Sequence, residues 1–211
     1  MNHFVIFACV GSILLGVILR EARGEVGEIV SGRLTSGRYD WQYGYHIHLD
    51  DSTLIVRVGI NLVAAPGVTK VQLDRVQPEW EKEIERVWSN RFALMARDGS
   101  YPIVVDASFK RVSYQHDVIV KPGGGRRSDE LNWHVMDTPQ IAAHEFGHML
   151  GLYDEYVGGA QDPEGKVYDV DSIMTSSPVA GRSRGRHYER FKQWFKEKTD
   201  QEDVTLQAIA R

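Results

Sequence analysis

The stretch from His144 to Tyr156, HEFGHMLGLYDEY, determines what the rest of the chain must fold around. His144 and His148 are four residues apart, so on an α-helix both imidazoles lie on one face and can bind the same metal ion. Glu145 follows the first histidine and is placed to act on a water molecule beside that ion. The pattern predicts a helix with the geometry of metal-assisted hydrolysis.

The residues after this helix predict a third ligand. Gly151 lies three residues past His148 and Asp154 three residues past Gly151, so the helix can stop at the glycine and the chain can turn back. Glu155 is the alternative ligand if the turn places it inward. A catalytic zinc site needs three protein ligands and one open position. The predicted site therefore consists of His144, His148 and Asp154 as zinc ligands and Glu145 as general base.

The opposite side of the same helix is predicted to be buried. Ala142, Phe146 and Met149 form an apolar stripe at helical spacing, which is the pattern of a core-facing surface. Gly147 is unusual there, because glycine costs about 1 kcal/mol relative to alanine in a helix interior. The glycine predicts that another segment of the chain approaches the helix closely at this position.

The motif carries a family resemblance. His144, Glu145, His148, Gly151 and Asp154, followed twenty residues later by Met174, resemble the extended zinc motif and the Met-turn of the metzincin peptidases. Most metzincins have histidine as the third ligand, and the aspartate is similar to the snapalysin-like branch of small secreted bacterial proteases. The resemblance implies a zinc-dependent endopeptidase in which Met174 packs beneath the zinc without binding it. An ordinary buried methionine is the alternative for this residue.

The fold class that follows is α+β. The resemblance implies a zincin-like, metzincin-like twisted mixed β-sheet with an active-site helix, a Met-turn and a C-terminal helix. Hydrophobic patterns predict a helix from Pro78 to about Arg97. The active-site helix is expected to begin at Asp137 or Thr138 as its cap, and Gln140 completes a capping box if Asp137 is the cap. A last helix carries Tyr188, Phe191, Trp194 and Phe195, followed by a polar, frayed tail. Strands are predicted at 53–63, 102–109, 118–120 and 131–136, the last as the rim that binds an extended peptide.

Composition fits one catalytic domain. The chain has 211 residues, of which 42% are hydrophobic and 26% charged, which suits a single domain at 25–211. A net charge of −4 gives no indication of nucleic-acid binding. The expected partner is a protein or peptide substrate, and the expected state is a monomer.

The N-terminal segment 1–24 is predicted to direct export. Phe4 to Leu19 is apolar and uncharged, which is typical of a signal peptide or, if the segment is retained, of a membrane anchor. The predicted location is therefore secreted or periplasmic. The single cysteine, Cys9, lies inside this segment, so the exported part has no disulfide.

Several weaker signals remain open. Residues 25–50 are a hairpin or a leader, and His46 and His48 share a strand face but lack a third ligand. The acids between Glu155 and Asp171 suggest a structural Ca²⁺ site, although their spacing matches no EF-hand. Three basic residues could favour acidic substrates or could simply form an exposed loop: Arg182, Arg184 and Arg186.

Two further functions compete with a secreted peptidase. The first is an effector or toxin peptidase delivered to a target cell, which has the same chemistry in another biological setting. The second is a zinc-stabilised binding module without turnover. Glu145 argues against the binding module, because a binding site has no need of a general base beside its metal.

Overall fold

The computed structural model describes residues 26–109, 114–124 and 128–210, and shows an α+β fold in which a curled, mixed β-sheet is covered by few helices. The predicted signal or anchor segment lies outside these residues. Within them, no helix combines the length and the apolar character that crossing a bilayer requires. The strands are β1 (Val26–Ser36), β2 (Tyr39–Asp50), β3 (Thr53–Ala64), β4 (Phe92–Ala96), β5 (Gly99–Phe109), β6 (His116–Lys121), β7 (Asn132–His134) and β8 (Thr205–Ala208), and the helices are α1 (Lys70–Trp88), α2 (Pro139–Met149) and α3 (Glu189–Thr199).

Strand β3 is the centre of the sheet. It pairs antiparallel with β2 through residues 53–57 and parallel with β5 through residues 54–60. Its C-terminal half, residues 60–64, pairs parallel with β6, which in turn pairs parallel with β7. The predicted strand at 53–63 is confirmed, and its alternate residues Leu54, Val56, Val58 and Ile60 are buried in the core.

Residues 26–50 form a hairpin that belongs to the sheet. β1 and β2 pair antiparallel along their whole length, from Val26 opposite Leu49 to Ser36 opposite Tyr39. The inward-facing residues Trp41, Tyr45 and Ile47 are buried in the hydrophobic core or at its margin. The hairpin is therefore an integral part of the domain.

The prediction of a helix from Pro78 to about Arg97 was wrong at both ends. α1 begins after Thr69, whose side chain accepts a hydrogen bond from the Gln72 amide in a capping box, and Pro78 lies inside the helix. The helix continues through the proline because its apolar stripe is buried against the core. That stripe consists of Val76, Trp80, Ile84, Val87 and Trp88. Residues 92–96 form strand β4 instead, which pairs with β5 and β8.

The C-terminal tail is ordered by a long-range pairing, so the prediction of a frayed end was wrong. α3 ends at Thr199, and the chain then returns to add β8 antiparallel to β4. Val204 is buried at the start of this segment. The tail thus covers an edge of the sheet that would otherwise be exposed to solvent.

The segment before α2 also differs from its prediction. The strand expected at 131–136 is limited to Asn132–His134. Thr138 is the N-cap residue by position but makes no side-chain capping bond, and Pro139 occupies the first turn. Asp137 does not cap the helix, because its Oδ2 accepts hydrogen bonds from the His134 amide and the Ser128 hydroxyl. Gln140 instead donates to Glu83 on α1, so the predicted capping box is absent.

Candidate metal centre

Helix α2 carries the buried group His144, Glu145 and His148. Their exposed fractions are 7%, 6% and 7%. One ligand atom from each lies within 4.8 Å of the others, and this is the one group of three such side chains found in the described parts of the chain. The cluster could hold a metal ion.

Both imidazoles are oriented by backbone carbonyls. His144 Nδ1 lies 2.8 Å from the Ile173 carbonyl oxygen, and His148 Nδ1 lies 2.9 Å from the Leu152 carbonyl oxygen. A carbonyl oxygen only accepts hydrogen bonds, so each Nδ1 carries the proton. In the neutral rings the lone pair is therefore on Nε2, which is the arrangement of histidine ligands supported by neighbouring groups.

Asp154 completes the site. Its Oδ1 lies 3.2 Å from His144 Nε2 and 3.5 Å from His148 Nε2. Two ligand atoms that are each about 2.0–2.1 Å from a tetrahedral zinc ion lie about 3.4 Å apart, so these separations fit one ion shared by the three groups. Asp154 Oδ2 accepts a hydrogen bond from the Ala160 amide at 2.6 Å. Oδ1 is buried and has no hydrogen-bond partner among the described residues.

The converging atoms are all acceptors when the histidines are neutral. A buried carboxylate oxygen facing two imidazole lone pairs is unfavourable unless a cation lies between them. Without a metal, burial alone would raise the pKa of Asp154, but the two imidazoles hold that pKa well below its usual range. Burial lowers the pKa of His148, but Asp154, the Leu152 carbonyl and Glu130 together raise that pKa above its usual value. The site therefore attracts positive charge, as protons or as a metal ion.

Glu145 lies beside this set of ligand atoms. Its Oε2 is 4.0 Å from His148 Nε2, which is farther than the Asp154 oxygen from the same atom. The pKa of Glu145 is raised to about 8, mainly by burial; His144 lowers this pKa and Asp154 raises it. A metal ion nearby would lower that pKa. Glu145 is thus suited to exchange a proton near neutral pH.

The turn after α2 selects Asp154 over Glu155. Gly151 has a φ of +85°, a conformation that glycine adopts without strain, and there the chain turns back toward the helix. Glu155 points away, and its carboxylate oxygens accept hydrogen bonds from Arg186 at 2.6 and 2.7 Å. His187 lies 3.1 Å from the same carboxylate. Glu155 therefore fixes the loop and is not placed to bind the ion.

Met174 lies under α2, as the interpretation of Gly147 anticipated. A Cβ at Gly147 would overlap Met174 Sδ and would lie 3.0 Å from the Trp88 ring. Met174 is fully buried, and the preceding residue, Ile173, supplies the carbonyl that orients His144. The turn around Met174 thus positions a ligand from below the helix.

A cleft of about 690 Å³ opens onto His144, His148 and Asp154. One wall is the tip of the β1–β2 hairpin, where Tyr39 donates a hydrogen bond to the Gly158 carbonyl at 3.0 Å. The opposite wall is segment 128–132. Trp41 packs edge-on against the His148 ring, with the ring centroids 5.5 Å apart.

Several residues in the cleft were not predicted from the sequence. Trp41, Glu130 and Tyr156 all line it, and the Tyr156 ring lies 6.4 Å from the His144 ring. Tyr156 follows the ligand Asp154 by two residues, and that proximity was the available signal. Trp41 and Glu130 reach the site only through long-range strand pairing.

Other sequence candidates lie elsewhere. The His46 and His48 rings are 5.0 Å apart, outside the group that could hold a metal ion. Arg184 and Arg186 both donate to Asp169, and neither they nor Arg182 line the cleft. A calcium ion would compete with these arginines for Asp169, and structural Ca²⁺ remains a prediction. No protein-family model, no curated protein and no solved structure matches this chain.

Proposed function

We propose that this chain is a zinc-dependent endopeptidase. The observation that carries the proposal is the buried Asp154 Oδ1, which lacks a hydrogen-bond partner in the described residues and lies 3.2 and 3.5 Å from two imidazole nitrogens. Three ligands of this type that leave one side open to a cleft are typical of catalytic zinc rather than structural zinc. The metzincin resemblance, including the role of Met174 as a floor, is part of the proposal.

The donor set favours zinc over calcium or magnesium. Imidazole nitrogens suit zinc and other transition metals, whereas calcium and magnesium are bound mainly by oxygen atoms. His144 and His148 supply two nitrogens and Asp154 supplies one oxygen. Held there, zinc supplies Lewis acidity toward a water molecule and the scissile carbonyl.

The residues of the chain supply the proton transfers and the orientation. Glu145, with a pKa near neutrality in the metal-free site, takes a proton from the attacking water and later gives it to the leaving amine. Ile173 and Leu152 hold the imidazoles through their carbonyl groups, so the ligand geometry is set before substrate binds. Trp41 and the hairpin tip shield one side of the site from solvent.

The test measures metal content and proteolysis on the same samples. We expect about one zinc per wild-type chain and cleavage of casein that stops on chelation and returns with zinc. Glu145→Gln should retain zinc and lose cleavage by at least about 10³-fold. Glu79→Gln, on the exposed face of α1, is the matched control and should cleave casein like wild type.

The same measurement distinguishes a zinc peptidase from a zinc-stabilised binding module. A zinc-stabilised module would bind one metal ion and show no casein cleavage in wild type. Equal cleavage by wild type and Glu145→Gln would refute the assignment of Glu145. A chain without zinc would refute the proposed metal centre itself.

A further inference from the structure

A second cavity adjoins the metal cleft. Its volume is about 540 Å³, and it lies between the β1–β2 hairpin and the start of β6. Asp40, Trp41, Glu130 and Leu131 line both the cavity and the cleft. The two spaces are therefore continuous around these four residues, and a bound chain could run from one into the other.

One wall of this cavity is a strand edge without a neighbour. β2 pairs with β3 only from His46 onward, so its first half is paired with β1 alone. The Gly44 carbonyl faces away from β1, because it accepts a hydrogen bond from His116 Nε2 at 2.9 Å. Successive residues of an antiparallel strand direct their main-chain groups to alternate sides. The N–H and C=O of Gln42 therefore face the cavity, and no described residue outside β1 pairs with them.

The cavity also carries negative charge that the described cations do not fully neutralise. The cavity is lined by three carboxylates and one guanidinium. The guanidinium, Arg33, is paired with Asp40, and Asp117 accepts only a neutral amide hydrogen bond from Asn61 at 2.7 Å. Burial raises the pKa of Glu130, and no lysine or arginine in the described ranges pairs with it. A cationic side chain of a ligand would relieve this unpaired charge.

We propose that an extended segment of substrate binds along the Asp40–Gln42 edge of β2 and places a lysine or arginine side chain in the second cavity, with Glu130 as its counter-charge. Main-chain pairing at a free strand edge gives affinity, and a side-chain pocket gives specificity. The cationic residue thus lies at a fixed distance from the scissile bond. This inference names the substrate class of the proposed peptidase and rests on that function for its link to cleavage.

The first experiment measures binding without turnover. Fluorescein-labelled twelve-residue alanine and serine peptides with one lysine, and their norleucine counterparts, are titrated into the full-length Glu145→Ala protein by fluorescence anisotropy. We expect the lysine peptides to bind about tenfold more tightly. Adding Glu130→Gln should reduce the preference to below about twofold, whereas the exposed control Glu79→Gln should preserve it. An unchanged preference in Glu130→Gln, or none in its parent, overturns the proposal.

The second experiment tests the strand edge. Gln42→Pro removes the N–H that faces the cavity and leaves the pairing with β1 intact, whereas Gln42→Ala keeps that N–H. We expect the proline variant to bind the lysine peptide about tenfold more weakly than the alanine variant. N-methylation along the peptide provides an independent measurement that needs no protein variant, and it should weaken binding at alternate amides. Equal tolerance of N-methyl groups at all positions contradicts strand pairing.

The outcomes separate this inference from the proposed function. If casein cleavage depends on Glu145 but the lysine preference persists in Glu130→Gln, the peptidase proposal is supported and the lysine subsite is refuted. If the lysine preference depends on Glu130 but the wild-type protein does not cleave casein, the peptide-binding groove is supported and the peptidase proposal is refuted.

Discussion

Met174 lies so close beneath Gly147 that a Cβ added to the glycine would overlap the methionine sulfur. Gly147 lies between the two histidines on α2, and the residue before Met174 orients one of them through a carbonyl at 2.8 Å. The helix and the turn therefore fit together only because residue 147 has no side chain. Packing at this contact sets the position of the two histidines.

Gly147→Ala tests that contact. Alanine favours the helix by about 1 kcal/mol, but overpacking a filled core costs about 1–3 kcal/mol. Because the added Cβ would overlap the methionine sulfur directly, the upper part of that range applies. We therefore expect a cost of about 2–3 kcal/mol and a net loss of about 1–2 kcal/mol in the free energy of unfolding, measured by urea denaturation. Met174→Ala in the same chain should remove the overlap, so the two substitutions should be less than additive. A Gly147→Ala protein as stable as wild type would show that the sulfur moves aside freely.

Asp154 and its neighbour Glu155 form a natural pair of test sites. Asp154→Asn should weaken zinc binding by about 10²-fold or more, because the oxygen that faces both imidazoles loses its charge. Glu155→Gln should retain one zinc per chain and lower the melting temperature, because the ion pair with Arg186 is lost. Metal titration with a chromophoric chelator and thermal melts on both variants measure this. Loss of zinc in Glu155→Gln alone would reverse the ligand assignment.

The proximity of the three side chains proposed as ligands could be predicted from the sequence. The spacing of His144, His148 and Asp154 is a property of one helix and the turn after it, so sequence periodicity was sufficient. Gly147 also indicated a close approach, although the partner became known only from the structure. The start of α1 differs from its prediction because Thr69 caps the helix and burial of the apolar face outweighs the cost of Pro78 inside it.

The long-range part could not be predicted in the same way. Trp41 reaches His148 because of the register between β2 and β3, which no local pattern specifies. β8 forms because the chain returns to β4 after α3, and a short polar strand resembles a frayed end when its partner is unknown. Asp137 has the sequence context of a helix cap, yet Ser128 and the His134 amide compete successfully for its oxygen.

Asp169 predicts a pH dependence of stability. Arg184 and Arg186 hold the pKa of Asp169 well below its usual range. A carboxyl group whose pKa is lower in the folded state stabilises the fold above its unfolded pKa of about 4 and loses this effect as the pH falls through the folded value. Asp169→Asn should therefore lower the free energy of unfolding at pH 7, and the difference from wild type should narrow below about pH 4.

The measurement is urea denaturation with EDTA from pH 7 to pH 3, so that metal binding does not contribute. Asp171→Asn is the control, because that side chain is 80% exposed and its oxygen lies 3.8 Å from Arg184. The control should differ little from wild type at every pH. A constant difference between Asp169→Asn and wild type across this range would indicate that Asp169 acts through packing instead of charge.

The hairpin at 26–50 is expected to be required for folding, and its removal should not activate the protein. Trp41, Tyr45 and Ile47 are each at most 6% exposed, and truncating one large core side chain costs about 2–5 kcal/mol. Losing all three would cost about 6–15 kcal/mol, which is comparable to the entire 5–15 kcal/mol that typically stabilises a domain. A chain lacking residues 1–50 should therefore be unfolded by circular dichroism. A protease site inserted at the exposed Asp51 turn gives the matched comparison, because the nicked hairpin should stay bound and casein cleavage should be unchanged. Higher activity after the hairpin is released would instead identify it as an inhibitory leader.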